Sequence, residues 1–123
     1  MSVVVLDYGL GNLRSLSWAL ERIGCVHKIS SDKEVIENSH KLIIPGVGSF
    51  GEAIKNLDDL DLTDFIRFYA KKTSNKILGI CLGMQLLFEG SEESPGVLGL
   101  SVLQGLYKKL DAKTSHVPHM GWN

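Results

Sequence analysis

Cys81 stands between Gly79 and Gly83, after the apolar run Lys76 to Ile80 and before Met84, Leu86, Leu87 and Phe88, whose spacing fits a helix. A thiol at a strand-to-helix corner is a candidate nucleophile. The strained turn of a nucleophile elbow needs small residues on either side, and it lifts the side chain above the sheet. The partial positive charge of a helix N-terminus also favours the anionic, nucleophilic form of sulfur. The plainer reading is a buried strand-end cysteine whose glycines serve only the turn.

Pro45-Gly46-Val47-Gly48 follows a second apolar run, Lys41 to Ile44. Glycines in this place can present backbone N–H groups as a nest, which with the Leu82 N–H would hold a developing oxyanion. The segment Gly46 to Gly51 also spells GxGxxG between a predicted strand and a predicted helix, the dinucleotide fingerprint. That alternative would make the chain a noncatalytic nucleotide-binding or interaction module. It expects an acidic residue about 20 positions on, at the end of the next strand, whereas here the next strand lies further away and runs into Cys81. Gly9-Leu10-Gly11-Asn12 reads most simply as a tight turn and a helix cap. Position promotes none of His27, His40, His116 and His119. Cys25 and Cys81 have no CxxC spacing, so neither a disulfide framework nor a metal site is expected.

The elements that must position these residues alternate. Val3 to Leu6 predicts a strand buried on both faces. Asn12 caps a helix with Leu13, Leu16, Leu20 and Ile23 on its apolar stripe, and Gly24 closes it. Cys25, Val26 and Ile29 predict a second strand, ending at Ser30-Ser31-Asp32, with Asp32 capping a short helix through Ile36. Lys41 to Ile44 is the third strand. A helix with Ala53, Ile54 and Leu57 inward follows, then one over Leu62 to Ala70 carrying Phe65, Ile66 and Tyr69, then a buried strand from Lys76 to Ile80. Residues 89–99 read as a polar loop, and Leu100 to Leu110 as one or two strands interrupted at Gly105. This order predicts an α/β fold with an open, mostly parallel sheet, right-handed crossovers and helices on both faces. Ligands of such sheets bind outside the strands' carboxyl ends, where all three glycine loops fall.

Composition narrows the function classes. The 123 residues suit one domain, and 44% hydrophobic with 22% charged residues supports a packed core. With 13 Lys+Arg against 14 Asp+Glu and no basic stripe, a nucleic-acid partner is not expected. The apolar runs fall short of the roughly 18–20 residues that span a bilayer, and the N-terminus has no basic n-region. A cytoplasmic protein without a membrane partner is expected.

Taken together, Asp7-Tyr8-Gly9-x-Gly11-Asn12, Pro45-Gly46-Val47-Gly48 and Gly79-Ile80-Cys81-Leu82-Gly83-Met84-Gln85 resemble the class I, triad-type glutamine amidotransferases. Within them, the resemblance points to the glutaminase subunits of imidazole glycerol phosphate synthases. The terminal Pro118-His119-Met120-Gly121-Trp122-Asn123 is similar to a further segment of that group, so the resemblance covers the whole chain. It implies that Cys81 attacks the carboxamide of glutamine, that Gly46, Val47, Gly48 and Leu82 form the oxyanion hole and substrate loop, and that Gln85 and Glu93 contact the glutamine. It implies no cofactor. Ammonia would pass to a barrel-shaped cyclase subunit that builds imidazole glycerol phosphate for histidine biosynthesis, with Asn12 and Trp122 facing that partner. The physical reading agrees: a thiolate adds to the amide, backbone donors hold the oxyanion, ammonia leaves and water hydrolyses the thioester.

The family's catalytic His and Glu lie after the segment matching Pro118–Asn123, and His119 belongs to that segment rather than serving as the base. Residues 1–123 are therefore expected to be the N-terminal portion of a single glutamine amidotransferase domain, with the sheet incomplete at its C-terminal side and without turnover by themselves. An aromatic anchor suits an interface. In the protein carrying its full C-terminal region, Trp122→Ala is expected to weaken cyclase binding more than it lowers folding stability. Calorimetric titration beside a thermal melt checks this, and a lowered melting temperature with unchanged affinity would place Trp122 in the core.

Overall fold

Val3, Val4, Val5 and Leu6 form β1 (Val3–Leu6), and the last three are buried, as an apolar run without alternation requires of an interior strand. The computed structural model describes residues 2–108 and Leu110. In it β1 pairs in parallel with β2 (His27–Ser30) on one side and β3 (Lys41–Ile44) on the other, and β3 pairs in parallel with β4 (Lys76–Gly79). The sheet order is β2-β1-β3-β4.

Side chains alternate across the sheet, and the helices divide between its faces accordingly. Val5 and Ile43 meet Leu13, Leu16 and Leu20 of α1 (Leu13–Arg22). Val4, Leu6, Leu42 and Ile44 point the other way, into a larger core. That core is built from Ile36 of α2 (Lys33–Glu37), Phe50, Ala53, Ile54 and Leu57 of α3 (Phe50–Asp59), and Ile66 and Tyr69 of α4 (Thr63–Lys71). Asn12 and Asp32 cap α1 and α2 as the sequence signals, and Ser49 caps α3. Asn12 Oδ1 accepts from Ser15 N–H at 3.2 Å, Asp32 Oδ1 from Glu34 N–H at 2.8 Å, and Ser49 Oγ from Glu52 N–H at 3.2 Å.

Several expectations change. Cys25 and Val26 precede β2 rather than opening it. Gly24, at φ +75°, donates to Glu21 O, and Cys25 donates to Leu20 O at 2.8 Å, so Cys25 completes a Schellman cap on α1, while Val26 is 88% exposed. The same cap turns Ile23 out to solvent, off the apolar stripe. β4 is not buried on both faces. It is an edge strand among the described residues, paired only with β3, and Leu78 is 55% exposed.

After Cys81 comes a single helical turn, α5 (Leu82–Gln85), and Leu86 and Leu87 are buried beyond it. Residues 89–99 are largely turns, as expected, but Gly90–Ser91 (β5) pairs in parallel with Leu106–Tyr107 (β6). The stretch from Leu100 to Gly105 is not strand. Its backbone straps the end of α5 instead, with Leu100 N–H on Leu86 O and Leu103 N–H on Leu87 O, both at 2.8 Å.

Leu57 is fully buried at the centre of the larger core, whereas Ile23 is exposed. Leu57→Ala is expected to cost about 2–5 kcal/mol and Ile23→Ala less than about 0.5 kcal/mol, read by denaturant unfolding.

Candidate active site

The chain runs from β1 to β2 on one side and returns to β3 on the other, so the order reverses at β1 and opens a crevice at the carboxyl ends of β1 and β3. Three segments converge there: residues 7–12 after β1, 45–49 after β3, and the turn at Cys81 after β4.

Cys81 takes φ +53° and ψ −122°, a conformation that costs a non-glycine residue about 1–3 kcal/mol. It is exposed, which removes the reading of a buried strand-end cysteine. The turn is closed by Gly83 N–H on Ile80 O at 2.9 Å and Met84 N–H on Cys81 O at 3.0 Å. Both flanking glycines are sterically required. A Cβ on Gly79 would lie 2.5 Å from Met84 Cα, and one on Gly83 would overlap the Ile44 carbonyl. The elbow and the end of β3 are thus in van der Waals contact, and Ile80 N–H donates to Ile44 O at 3.0 Å.

The glycine loop meets the elbow through Gly46, where a Cβ would stand 3.0 Å from both Gly83 N and Leu82 Cβ. Gly46 and Leu82 are buried, while Val47 and Gly48 are exposed and Gly48 has φ +107°. Among the described residues, the N–H groups of Gly46, Val47, Gly48 and Leu82 donate to no protein acceptor. Free donors beside a nucleophile are what an oxyanion needs. The structure therefore packs Gly46 against Leu82 beside Cys81, and Val47 and Gly48 continue the same loop outward, exposed.

Gln85 is half-buried on the same turn as Cys81, its N–H reaching Cys81 O at 3.3 Å. Glu93 is exposed and sits on a neighbouring turn, whose Ser94 Oγ accepts from Gly51 N–H at 3.1 Å and so ties it to the start of α3. Asn12 is exposed and caps α1. Trp122, His116, His119 and the Pro118–Asn123 segment lie outside the described residues. His27 is structural: Ser17 Oγ stands 2.7 Å from its Nε2 and Cys25 O 3.0 Å from its Nδ1.

Two residues escaped the sequence reading. Tyr8 is buried, and its hydroxyl donates to Pro45 O at 2.5 Å. Burial holds this phenol well above the ordinary tyrosine range. The available signal was an aromatic residue placed directly between β1 and Gly9. Arg67 donates from Nε to Leu100 O at 3.0 Å and from Nη2 to Gly99 O at 2.7 Å, pinning the strap over α5. Nothing in its spacing on α4 announces that distant pairing.

A family model described as glutamine amidotransferase class-I matches residues 4–123. The chain is 48% identical over 124 residues to the imidazole glycerol phosphate synthase subunit HisH of Geobacillus kaustophilus (strain HTA426), and 49% identical over 124 residues to that of Geobacillus thermodenitrificans (strain NG80-2). Each alignment covers 97% of this chain and 58% of the relative. A solved structure titled as a crystal structure of glutamine amidotransferase matches with a TM-score of 0.73 at 27% identity, covering 85% of this chain and 55% of that one. The chain thus spans little more than half the length of the curated relatives it matches.

Cys81 is exposed and Cys25 half-buried beneath the α1 cap. Limiting iodoacetamide is expected to label Cys81 first in the folded protein, and peptide mapping reads the order. Prior labelling of Cys25 would contradict the elbow geometry.

Proposed function

This chain belongs to the class-I glutamine amidotransferase family, and from that premise we propose that the protein is the glutamine-hydrolysing subunit of an imidazole glycerol phosphate synthase. The observation that carries the reading is an exposed cysteine in a strained elbow, packed against a loop with free backbone donors. The sulfur of Cys81 adds to the carboxamide carbon of glutamine. The negative charge gathered on the carboxamide oxygen is held by the Leu82 N–H and by the Val47 or Gly48 N–H. Proton transfer to nitrogen lets the carbon–nitrogen bond break and ammonia leave, and water then cleaves the thioester to glutamate. Those proton transfers are the work of the catalytic His and Glu of the family, and residues 1–123 carry the nucleophile. Gln85, on the turn that follows Cys81, and Glu93, on the turn tied to the start of α3, address the amino-acid end of the substrate in this reading.

The relatives are named as subunits of imidazole glycerol phosphate synthase. The ammonia is accordingly delivered to a barrel-shaped cyclase subunit in the cytoplasm, for histidine biosynthesis. Asn12, exposed beside the crevice, and Trp122 contribute to that contact. No helix among the described residues is long and apolar enough to cross a membrane. The nucleotide-binding alternative suits the Gly46–Gly51 segment less well. Gly46 is covered by Tyr8 and Leu82, and the Gly51 N–H is already given to Ser94.

In the complete protein with its cyclase partner, Cys81→Ala is expected to lower ammonia release from glutamine by about 10³-fold or more while leaving the fold intact. Steady-state ammonia production measures this. Calorimetric titration should show binding of glutamine and none of NAD. Undiminished ammonia release, or NAD binding without glutamine binding, would overturn the reading.

A further inference from the structure

Tyr8 touches neither Cys81 nor the residues assigned to glutamine, yet it contacts the glycine loop at the point where that loop leaves β3. Its backbone is held by Asn56, whose Nδ2 donates to Tyr8 O at 3.1 Å. Its ring is buried in the larger core with α3 and α4. Its hydroxyl reaches out of that core to Pro45 O, and a Cβ on Gly46 would lie 2.5 Å from the same oxygen. The hydroxyl therefore sits against the Pro45–Gly46 peptide unit.

A peptide unit is planar, so a hydrogen bond on the Pro45 carbonyl also orients the plane that carries the Gly46 N–H and sets the direction in which the chain enters Val47. Other neighbours of this unit that the glycine contacts reveal are apolar side-chain or backbone atoms. Gly11 approaches so closely that a Cβ there would be 3.1 Å from Pro45 Cβ, and Leu82 and Gly83 press on Gly46. Such contacts limit where the peptide can be but do not choose its rotation. A directed bond does. Beyond Gly46, the N–H groups of Val47 and Gly48 donate to no acceptor among the described residues, so no backbone donor of the loop is held between the Pro45 carbonyl and the Ser49 cap.

We propose that Tyr8 is a positioning residue: its hydroxyl, by holding the Pro45 carbonyl, aims the backbone donors of the Gly46–Gly48 loop toward Cys81. The proposal rests on the glutaminase reading. An oxyanion exists only after sulfur has added to the amide, so misaimed donors lower kcat and leave KM nearly unchanged. Alkylation of Cys81 by iodoacetamide forms a carbon–sulfur bond and expels iodide from a saturated carbon. It develops no oxyanion, and its rate is independent of the loop.

The test uses the complete protein with its cyclase partner and compares Tyr8→Phe with Tyr69→Phe. Tyr69 is the matched control, since it is also buried and its hydroxyl is also engaged, with Ser39 Oγ at 3.1 Å and Ser39 O at 3.3 Å just before β3, away from the crevice. The expected result is a fall in glutaminase kcat of about 10-fold or more for Tyr8→Phe, KM within about twofold, unchanged iodoacetamide labelling of Cys81, and wild-type kcat for Tyr69→Phe. Four outcomes overturn it: an undiminished kcat in Tyr8→Phe, labelling that falls in parallel with kcat, an equal kcat loss in both variants, or a Tyr8→Phe protein that does not fold while Tyr69→Phe does. Wild-type protein that releases no ammonia would instead overturn the glutaminase reading beneath it.

Discussion

The approach of the Cys81 elbow to the end of β3 leaves room for nothing larger than hydrogen between Gly83 and the Ile44 carbonyl, and much of the molecule follows from that contact. It places Cys81 at one strand end beside the glycine loop at the next. The Ile80 N–H reaches the Ile44 carbonyl, carrying the β3–β4 register one residue past the strand, to the foot of the elbow. A side chain at Gly79 would strike Met84 within the elbow, and one at Gly83 would push the elbow away from the end of β3. In this sense the glycines fix a distance, and the positive φ of Cys81 is a consequence of turning within it.

The strain of that turn, about 1–3 kcal/mol, persists because its surroundings are packed on the side away from solvent. Leu82, Leu86 and Leu87 are buried from below the elbow, and Leu100 and Leu103 strap its far end through backbone bonds. Arg67 ties the strap to α4. Tyr8 and Phe50, on either side of the glycine loop in sequence terms, are rooted in the same core. The polar surface contributes little by comparison. The pairs Lys33–Asp61 and Lys55–Asp59 are exposed, where water and salt screen the attraction.

The two sheet faces are unequal. One carries three helices and the larger core. The other carries α1 alone among the described elements, over Val3, Val5 and Ile43, and Leu78 of β4 stays open on the far side. The site sits at the boundary where the order of strands reverses, so residues from β1, β3 and β4 meet although they are distant in sequence. Its loops are exposed at Val47, Gly48 and Cys81 and anchored just beneath, which combines access for a substrate with a fixed backbone.

Local chemistry was legible without the fold. The Gly-x-Cys-x-Gly corner, the caps at Asn12 and Asp32, and the inward positions Ala53, Ile54 and Leu57 depend on neighbours a few residues away, and the sequence by itself determined them. The apolar run Val3–Leu6 likewise foretold an interior strand. Where a long-range partner decides the outcome, the sequence was silent or misleading. Ile77 and Leu78 read as buried, but burial of a strand depends on what lies beside it, and among the described residues β4 has β3 alone. Cys25 and Val26 are good strand residues, yet the Schellman cap on α1 claims the Cys25 N–H first. Tyr8 and Pro45 stand 37 residues apart, and only the parallel pairing of β1 with β3 brings the hydroxyl to the carbonyl, because a hydrogen bond acts over about 3 Å and sequence spacing does not encode that distance.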